Sequence, residues 1–140
     1  DYRATPPRGV LACRRVPQLV GNIGAVGCLV RRFSIAFPLA GAAVALQLGW
    51  DVVSGCRVVR SAVASHPLDT RAADEFLTGK ALDEETVRTA AEIAAKHAKP
   101  LDNADLTHFW RTRMVRVVVE QAIALAATRT PGSRVKLLGQ

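Results

Sequence analysis

The chain has 140 residues, room for one domain with a single modest core, and its 49% hydrophobic and 22% charged residues exclude a disordered chain. The formal net charge of +7 comes from the flanks, because residues 1–36 carry six arginines against one aspartate and residues 129–140 carry three basic residues. The stretch between them carries ten basic and eleven acidic residues and is nearly neutral. A domain that binds nucleic acid concentrates its cations on a folded face, so this charge distribution argues against nucleic acid as a partner.

Residues 1–36 are predicted to be irregular, because prolines and glycines interrupt them too often for a long helix or a regular strand. Residues 21–27 have a glycine at every third position. They lack both the GxGxxG spacing and the strand–turn–helix context of a dinucleotide-binding fold. A glycine-rich loop that packs against another element is the favoured interpretation of this stretch.

The first clear pattern of the chain predicts two strands joined by a tight turn. Residues 39–48 alternate apolar with small or polar side chains, which is typical of a buried strand. A turn at residues 49–51 leads into a second strand within residues 52–64, with Arg57 on one face and Val58 on the other. These runs indicate an antiparallel hairpin or meander, whose third strand would come from the segment that precedes them.

Residues 65–67 are predicted to end the sheet, and three helices follow. The first spans residues 71–77, the second runs from its N-cap Asp83 to about residue 97, and the third spans roughly residues 107–127. Strands followed by helices without βαβ alternation predict an α+β fold. We expect a small antiparallel sheet of two to four strands followed by about three helices packed on one face, leaving the other face to solvent or a partner.

The cysteines and histidines of the chain indicate neither a disulfide framework nor a metal site. The three cysteines are odd in number and widely spaced, as expected for reduced thiols in a cytoplasmic protein. The three histidines are scattered, with no partner at helical spacing and no Ser–His–Asp arrangement. No apolar run is long enough to cross a bilayer as a helix, so no membrane span is predicted.

Four segments of the chain match the pattern of one known family in order and nearly in spacing. They are a strand rich in small residues, a second strand that runs on to Ser-His-Pro-Leu, a helix that closes with Leu-Thr-Gly, and a helical region from Leu-Asp-Glu-Glu to Trp-Arg: residues 37–46, 56–68, 71–80 and 82–111. They resemble the C-terminal domain of the FAD-binding (medium) subunit of molybdenum hydroxylases, the carbon monoxide dehydrogenase and xanthine dehydrogenase family. Ser61 and Trp110 depart from the glycine and tyrosine usual in that family.

The resemblance divides the chain into three parts. Residues 1–30 are an irregular Gly/Pro/Arg-rich segment, residues 31–128 are the family domain, and residues 129–140 are a basic tail. Residues 22–28 are also similar to the family's phosphate-binding stretch. A remnant of the preceding FAD subdomain, whose backbone N–H groups would meet a pyrophosphate, is therefore an alternative to a packing loop.

The resemblance implies a domain that flanks FAD while electrons pass from a molybdenum cofactor and [2Fe–2S] clusters to an acceptor. The implied partners, which hold the molybdenum cofactor and the clusters, are the molybdenum-cofactor subunit and the iron–sulfur subunit of a cytoplasmic complex. FAD would be shared with N-terminal subdomains that are mostly missing from this sequence, so the isolated chain is not expected to be catalytic. The alternative is a protein–protein interaction or dimerisation module of the same fold without flavin.

The resemblance places three residues at the flavin: Arg31, Arg32 and Phe37, in a loop beside its ring. The two arginines would approach the electron-rich edge of the flavin and stabilise its reduced anion. The family's acid in that loop is replaced by Ala36. A pair of solvated arginines at a strand edge is the alternative interpretation of Arg31 and Arg32.

Near the end of the family region, Trp110 lies on an apolar stripe and is predicted to pack in the core. Arg111 beside it is predicted to bond a loop carbonyl, or a carboxylate such as Asp102. Asp102 and Asp105 are predicted to cap a helix, because loop aspartates accept hydrogen bonds from free N–H groups. No catalytic residue is predicted in this chain.

Overall fold

The structure, a computed structural model, describes part of the chain: Cys13 and residues 21–30, 38–50, 52–96, 98–100 and 106–129. Four strands and three helices follow one another along it: β1 (Ile23–Val30), β2 (Pro38–Gly49), β3 (Val52–Ser61), β4 (Leu68–Asp69), α1 (Arg71–Leu77), α2 (Glu84–Ala95) and α3 (His108–Thr128). The predicted α+β class is confirmed.

The strands form one antiparallel meander in the order β1-β2-β3-β4. The predicted hairpin of β2 and β3 is confirmed, and the third strand does come from the segment before it, as β1. Two expectations are wrong. Ile23–Val30 is a regular strand and not an irregular segment, and the sheet does not end at Pro67, because Leu68 and Asp69 pair with the end of β3 as β4.

β1 is a strand in spite of its glycines because it pairs along its length with β2, from Ile23 opposite Leu46 to Leu29 opposite Ala40. Gly27 marks a close approach of α3. A Cβ atom there would lie 2.9 Å from the Val118 carbonyl oxygen, a distance that real Cβ atoms do not show. Helix packing therefore accounts for this glycine, without any ligand phosphate.

The helices cover one face of the sheet. α3 packs on β1 and β2, α1 packs on β3, and α2 packs on α1 and α3. Alternate residues in the middle of β2 point into this layer, and four of them are buried: Ala40, Ala42, Val44 and Leu46. Alanines line the facing side of α2 and the second half of α3, so the helices lie close to one another and to the sheet.

The helix boundaries agree with those predicted. The Asp83 side chain accepts a hydrogen bond from the Thr86 N–H (2.7 Å), which confirms it as the N-cap of α2. Thr107 caps α3 in the same way. Trp110, expected in the core, is only half-buried and lies outside the buried cluster, because the next residue, Arg111, occupies the buried position at the start of α3. Asp102 and Asp105 lie outside the described residues.

Candidate functional site

The three predicted flavin contacts, Arg31, Arg32 and Phe37, lie outside the described residues. The residues on either side of this segment are described. Val30, the last residue of β1, pairs with Pro38, the first of β2, across an irregularity in the register. The segment predicted to meet the flavin therefore leaves and rejoins the sheet at one point, and the elements packed around that point form the candidate site.

Arg111 braces this end of the sheet. Its guanidinium comes from the first turns of α3, is 6% exposed, and donates from Nε (3.2 Å) and Nη2 (3.1 Å) to the Leu39 carbonyl. Nη2 also donates to the Ala62 carbonyl at 2.6 Å. The expectation that Arg111 bonds a loop carbonyl is confirmed by its bond to Ala62, which lies after the end of β3. It ties the start of β2 to the residue that follows β3, so it holds the base of the segment that carries the predicted flavin contacts.

The residue that Arg111 holds, Ala62, has a left-handed backbone (φ 61°). Alanine adopts this conformation at a cost, because its Cβ atom crowds the neighbouring carbonyl. The bond from Arg111 offsets part of that cost. The family pattern has a glycine at the preceding position, where this chain has Ser61, and the structure places the left-handed turn one residue later.

A second buried arginine lies at the same end. Arg60, near the end of β3, is 5% exposed, and its Nη1 donates to the Ala94 carbonyl in the last turn of α2. The last carbonyls of a helix have no partner within the helix, so this bond also caps α2. Burial lowers the pKa of the Arg60 guanidinium from its ordinary value. An arginine stays protonated in spite of such burial, so the end of the sheet holds two buried positive charges.

One carboxyl group joins the helices to the sheet. Asp74 of α1 accepts a hydrogen bond from the Val58 N–H of β3 at 2.7 Å. Partial burial raises the pKa of Asp74, and the Val58 N–H opposes that rise. Burial, together with the nearby Asp74 charge, also raises the pKa of the Cys56 thiol to about 12. This thiol therefore stays protonated at neutral pH and is a poor nucleophile.

The face of the sheet turned away from the helices is uncovered by any other described element. We call it the open face. Two of its rows of neighbours across the strands line the depression described next: Gly24, Ala45 and Arg57, and Val26, Ala43 and Val59. An open depression of about 540 Å³ lies over it, with Arg129 at one edge. In these two rows no β1 or β2 side chain is larger than valine.

At the other edge of the open face, Arg57 and Asp69 form a two-point ion pair. Nε and Nη2 of Arg57 donate to the two carboxylate oxygens at 3.2 Å and 3.0 Å. The hydrogen bond and charge of Arg57 lower the pKa of Asp69, and Asp69 in turn raises the pKa of Arg57. The pair is exposed, so it contributes little to stability but leaves this edge without net charge.

The described residues offer no reactive cluster. They contain no group of three or more His, Cys, Asp or Glu side chains that could hold a metal ion. None of the helices described has the length and apolar character needed to cross a bilayer. Ile23–Val30 is an extended edge strand paired on one side with β2, and not a loop. The expectation that residues 22–28 are a remnant of the FAD subdomain stays a prediction.

Two residues of the site were not singled out by their sequence pattern. The sequence could have revealed the burial of Arg60. It lies two residues after Val58 and therefore on the same face of the strand, opposite the face that carries Arg57. Asp74 carried no signal of its own, since Glu75 beside it fits the helix equally well. Only the packing of α1 on β3 shows that Asp74 is the residue that accepts the Val58 N–H.

The sequence model of one family, described as the CO dehydrogenase flavoprotein C-terminal domain, matches residues 28–126. This match starts inside β1 and ends just before the end of α3. No curated protein sequence is significantly similar to this chain.

Solved structures with the same fold include CO dehydrogenases and a quinoline oxidoreductase. A carbon monoxide dehydrogenase from Hydrogenophaga pseudoflava that lacks the Mo-pyranopterin moiety of its cofactor superposes with a TM-score of 0.75 at 28% identity, over 81% of this chain and 39% of that one. Reconstituted CO dehydrogenase from Oligotropha carboxidovorans gives 0.74 at 26% identity, over 80% and 39%. Quinoline 2-oxidoreductase from Pseudomonas putida 86 gives 0.73 at 25%, over 76% and 37%. The chain therefore spans under two fifths of each matched chain.

Proposed function

The chain belongs to the CO dehydrogenase flavoprotein C-terminal domain family, and on that basis we propose that it flanks the flavin in the FAD subunit of a molybdenum-containing hydroxylase or dehydrogenase. The observation that carries the proposal is the family match, which covers the end of β1, strands β2 to β4, helices α1 and α2 and nearly all of α3. The similar structures support it, since they are CO dehydrogenases and a quinoline oxidoreductase.

In this proposal FAD supplies the redox chemistry, accepting electrons that originate at molybdenum and [2Fe–2S] centres of partner subunits in the cytoplasm. The described residues do not fit the whole cofactor. β1 is an extended strand whose successive N–H groups point alternately toward β2 and away from it, so it does not offer the adjacent, converging N–H groups that hold a pyrophosphate. Most contacts with FAD would therefore come from another part of the complex, and the isolated chain would not be catalytic.

The part of this chain proposed to approach the flavin is the segment between β1 and β2, with Arg31, Arg32 and Phe37. Positive charge beside the ring would stabilise the anionic reduced flavin. The role of Arg111 in this proposal is to position the segment, since it fixes the Leu39 carbonyl just after the start of β2.

The proposal is tested on a complex. The full chain is produced together with the polypeptides encoded beside its gene, and the visible absorption of the purified assembly is recorded. We expect the absorption bands of bound flavin. A colourless assembly that contains this chain contradicts the proposal.

In a yellow complex, Arg32→Ala tests the proposed contact. We expect flavin content to be unchanged and the rate of reoxidation of the reduced flavin to change several-fold, because a charge beside the ring alters its potential. Arg113→Ala is the matched control, since Arg113 is exposed on α3. Equal rates in the two variants would remove Arg32 from the flavin site.

A further inference from the structure

We infer that the flank formed by the outer edge of β1 and the side of α3 beneath it binds a second copy of this chain. In this dimer the two β1 strands pair antiparallel, so that two sheets become one and the two α3 helices pack side by side. The flank is separate from the open face and from the segment proposed to approach the flavin, and the dimer does not depend on the proposed function.

β1 is an edge strand of the sheet, and no described element lies beyond it. In an antiparallel ladder the main-chain groups of alternate residues point away from the partner strand. The Gly24 carbonyl accepts a hydrogen bond from Arg129 at 3.4 Å, so it points away from β2, and by alternation the main-chain groups of Val26 and Cys28 do so too. Val26 and Cys28 are exposed, and each presents one N–H donor and one C=O acceptor at the edge.

The edge of β1 carries none of the features that usually prevent pairing with another strand. Proteins protect long sheet edges with charged side chains, prolines or bulges. None of the eight residues of β1 is charged and none is a proline. The one irregularity in its register lies at its end, between Leu29 and Val30. An unprotected edge of this length is a template for a further strand.

The side of α3 that runs along this edge is also uncharged. Arg111 and Val118 lie on the side of α3 that faces the sheet, and Arg116, which pairs with Glu92 at 3.6 Å, lies on the side that faces α2. α2 lies on the β3 side of α3, because it also packs on α1, and α1 packs on β3. The third side of α3 therefore runs beneath the edge of β1. It presents four half-buried apolar residues and one exposed glutamine: Trp110, Met114, Val117, Leu125 and Gln121.

The spacing of the sheet and helix layers fits a second copy of the chain. α3 packs on β1 and β2 together, so its axis lies about half a strand spacing, or about 2.4 Å, inside β1. Two paired β1 strands lie about 4.8 Å apart. The axes of the two α3 helices are then about 10 Å apart, and packed helices lie about 8–10 Å apart. A second copy therefore continues both layers at once, whereas a lone extended peptide continues only the sheet.

The two free residues of the edge define the register of the pairing. It is symmetric when Val26 of each copy lies opposite Cys28 of the other, with Gly27 facing its counterpart at the two-fold axis. Each of these two pairs exchanges two hydrogen bonds, so four main-chain bonds join the copies. Within β1 no charged side chains are brought together, since the strand has none.

The area of the flank predicts a weak dimer. The flank is about 27 Å long, the length of eight strand residues, and about 18 Å deep, one helix plus part of the sheet layer. Two copies bury roughly 1,000 Å² in total, which is about the area at which specific interfaces begin. The net charge of +7 on each chain opposes association. Self-association is therefore measured at physiological ionic strength, where charges are screened beyond about 8 Å.

The test measures sedimentation of the full chain over a range of concentrations, with circular dichroism to verify that each variant is folded. Val26→Pro removes an outward N–H donor of β1 without removing a bond to β2. Val117→Glu places a charge on the α3 side of the flank, and Ala72→Glu, at an exposed alanine of α1, is its matched control. Ala43→Glu places the same charge on the open face instead.

The register has a probe of its own, because Cys28 lies about 7–8 Å from Cys28 of the other copy in this arrangement. A variant with Cys13→Ser is treated with a short bismaleimide at neutral pH. Burial raises the pKa of the Cys56 thiol to about 12, so Cys28 is the reactive thiol that remains. Cys28→Ser, added to the same variant, is the control.

We expect the unmodified chain, Ala72→Glu and Ala43→Glu to dimerise equally. Val26→Pro and Val117→Glu should dimerise at least tenfold more weakly, and the cross-linked dimer should form only when Cys28 is present. A chain that is monomeric at every concentration overturns the inference. So does a dimer that Ala43→Glu abolishes, because the open face is then the interface, and so does a dimer that no folded flank variant weakens. If Val26→Pro does not fold, Val117→Glu and the cross-link decide the same question.

Discussion

The two faces of this sheet are built from alternating residues of the same strands, yet they differ in every physical property. In β3, Arg57 lies on the open face in an exposed ion pair with Asp69, and Arg60 lies on the helix-covered face, 5% exposed, bonded to a main-chain carbonyl. In β2, Val44 and Leu46 on the covered face are buried, and Ala43 and Gln47 on the open face are exposed. The comparison shows that the stabilising contacts are concentrated on the covered face. Residues of the open face can therefore be substituted, and can serve an interaction, at little cost to the stability of the fold.

The largest expected difference concerns apolar packing. Leu46→Ala, at a position 1% exposed on the covered face, should lower the free energy of unfolding by about 2–5 kcal/mol, because it removes buried methyl groups and leaves a cavity. Val26→Ala on the open face should cost only about 0.5 kcal/mol. Chemical denaturation of both variants measures the difference. Equal losses would show that the open face is part of the stabilising core.

The second difference concerns the arginines. Arg111→Met leaves the carbonyls of Leu39 and Ala62 without this donor and should cost roughly 2–4 kcal/mol. Arg57→Met, on the open face, should shift the unfolding midpoint much less, since its ion pair is exposed. Arg111→Lys should fall between, because one amine cannot reproduce the fork of a guanidinium. If the Arg111→Met protein were as stable as the unmodified chain, the bonds from Arg111 to Leu39 and Ala62 would not stabilise this end of the sheet.

A third contrast uses two glycines of β1. Gly27→Ala should cost about 1–3 kcal/mol, since the new methyl group would press on the Val118 carbonyl of α3 and force the helix to shift. Gly24→Ala, whose Cβ would lie 3.6 Å from the nearest atom, should be tolerated. Thermal unfolding of the two variants tests whether α3 packs against β1 as described. Equal melting temperatures would be the contrary result.

The smallest expected effect is a difference between two aspartates in how their contribution to stability depends on pH. Asp74 has a raised pKa, so the folded state loses stability from this group as the pH rises from 3.8 through its folded pKa. Asp69 has a lowered pKa, so it contributes stability above pH 3.8 and loses it as the pH falls.

The corresponding variants should show opposite pH trends. Asp74→Asn keeps an oxygen for the Val58 N–H, and its stability relative to the unmodified chain should rise with pH. The relative stability of Asp69→Asn should fall with pH. Denaturant titrations across the acid range measure both slopes, and slopes of the same sign would refute the assignment.

How much of the fold could be read from the sequence depended on whether the signal was local. The caps and ends of the helices were predicted correctly because Asp83 and Gly79 act on residues within one turn of themselves. The hairpin was predicted because a tight turn separates two alternating runs. The site was predicted least, because its contacts join residues far apart in the chain, such as Arg111 and Leu39.

By itself, the sequence determined the α+β class, the three helices, the β2–β3 hairpin and the family to which the chain belongs. Only the tertiary structure decided that Ile23–Val30 is a strand, that Arg60 and Arg111 are buried cross-links, and that Asp74 is the acid that joins α1 to β3. The physical reason is the same in each case. The glycine-rich strand gains its hydrogen bonds from β2 and its packing from α3. The buried charges gain their partners from carbonyls of other elements, so in both cases the deciding contacts are with residues far away in the sequence.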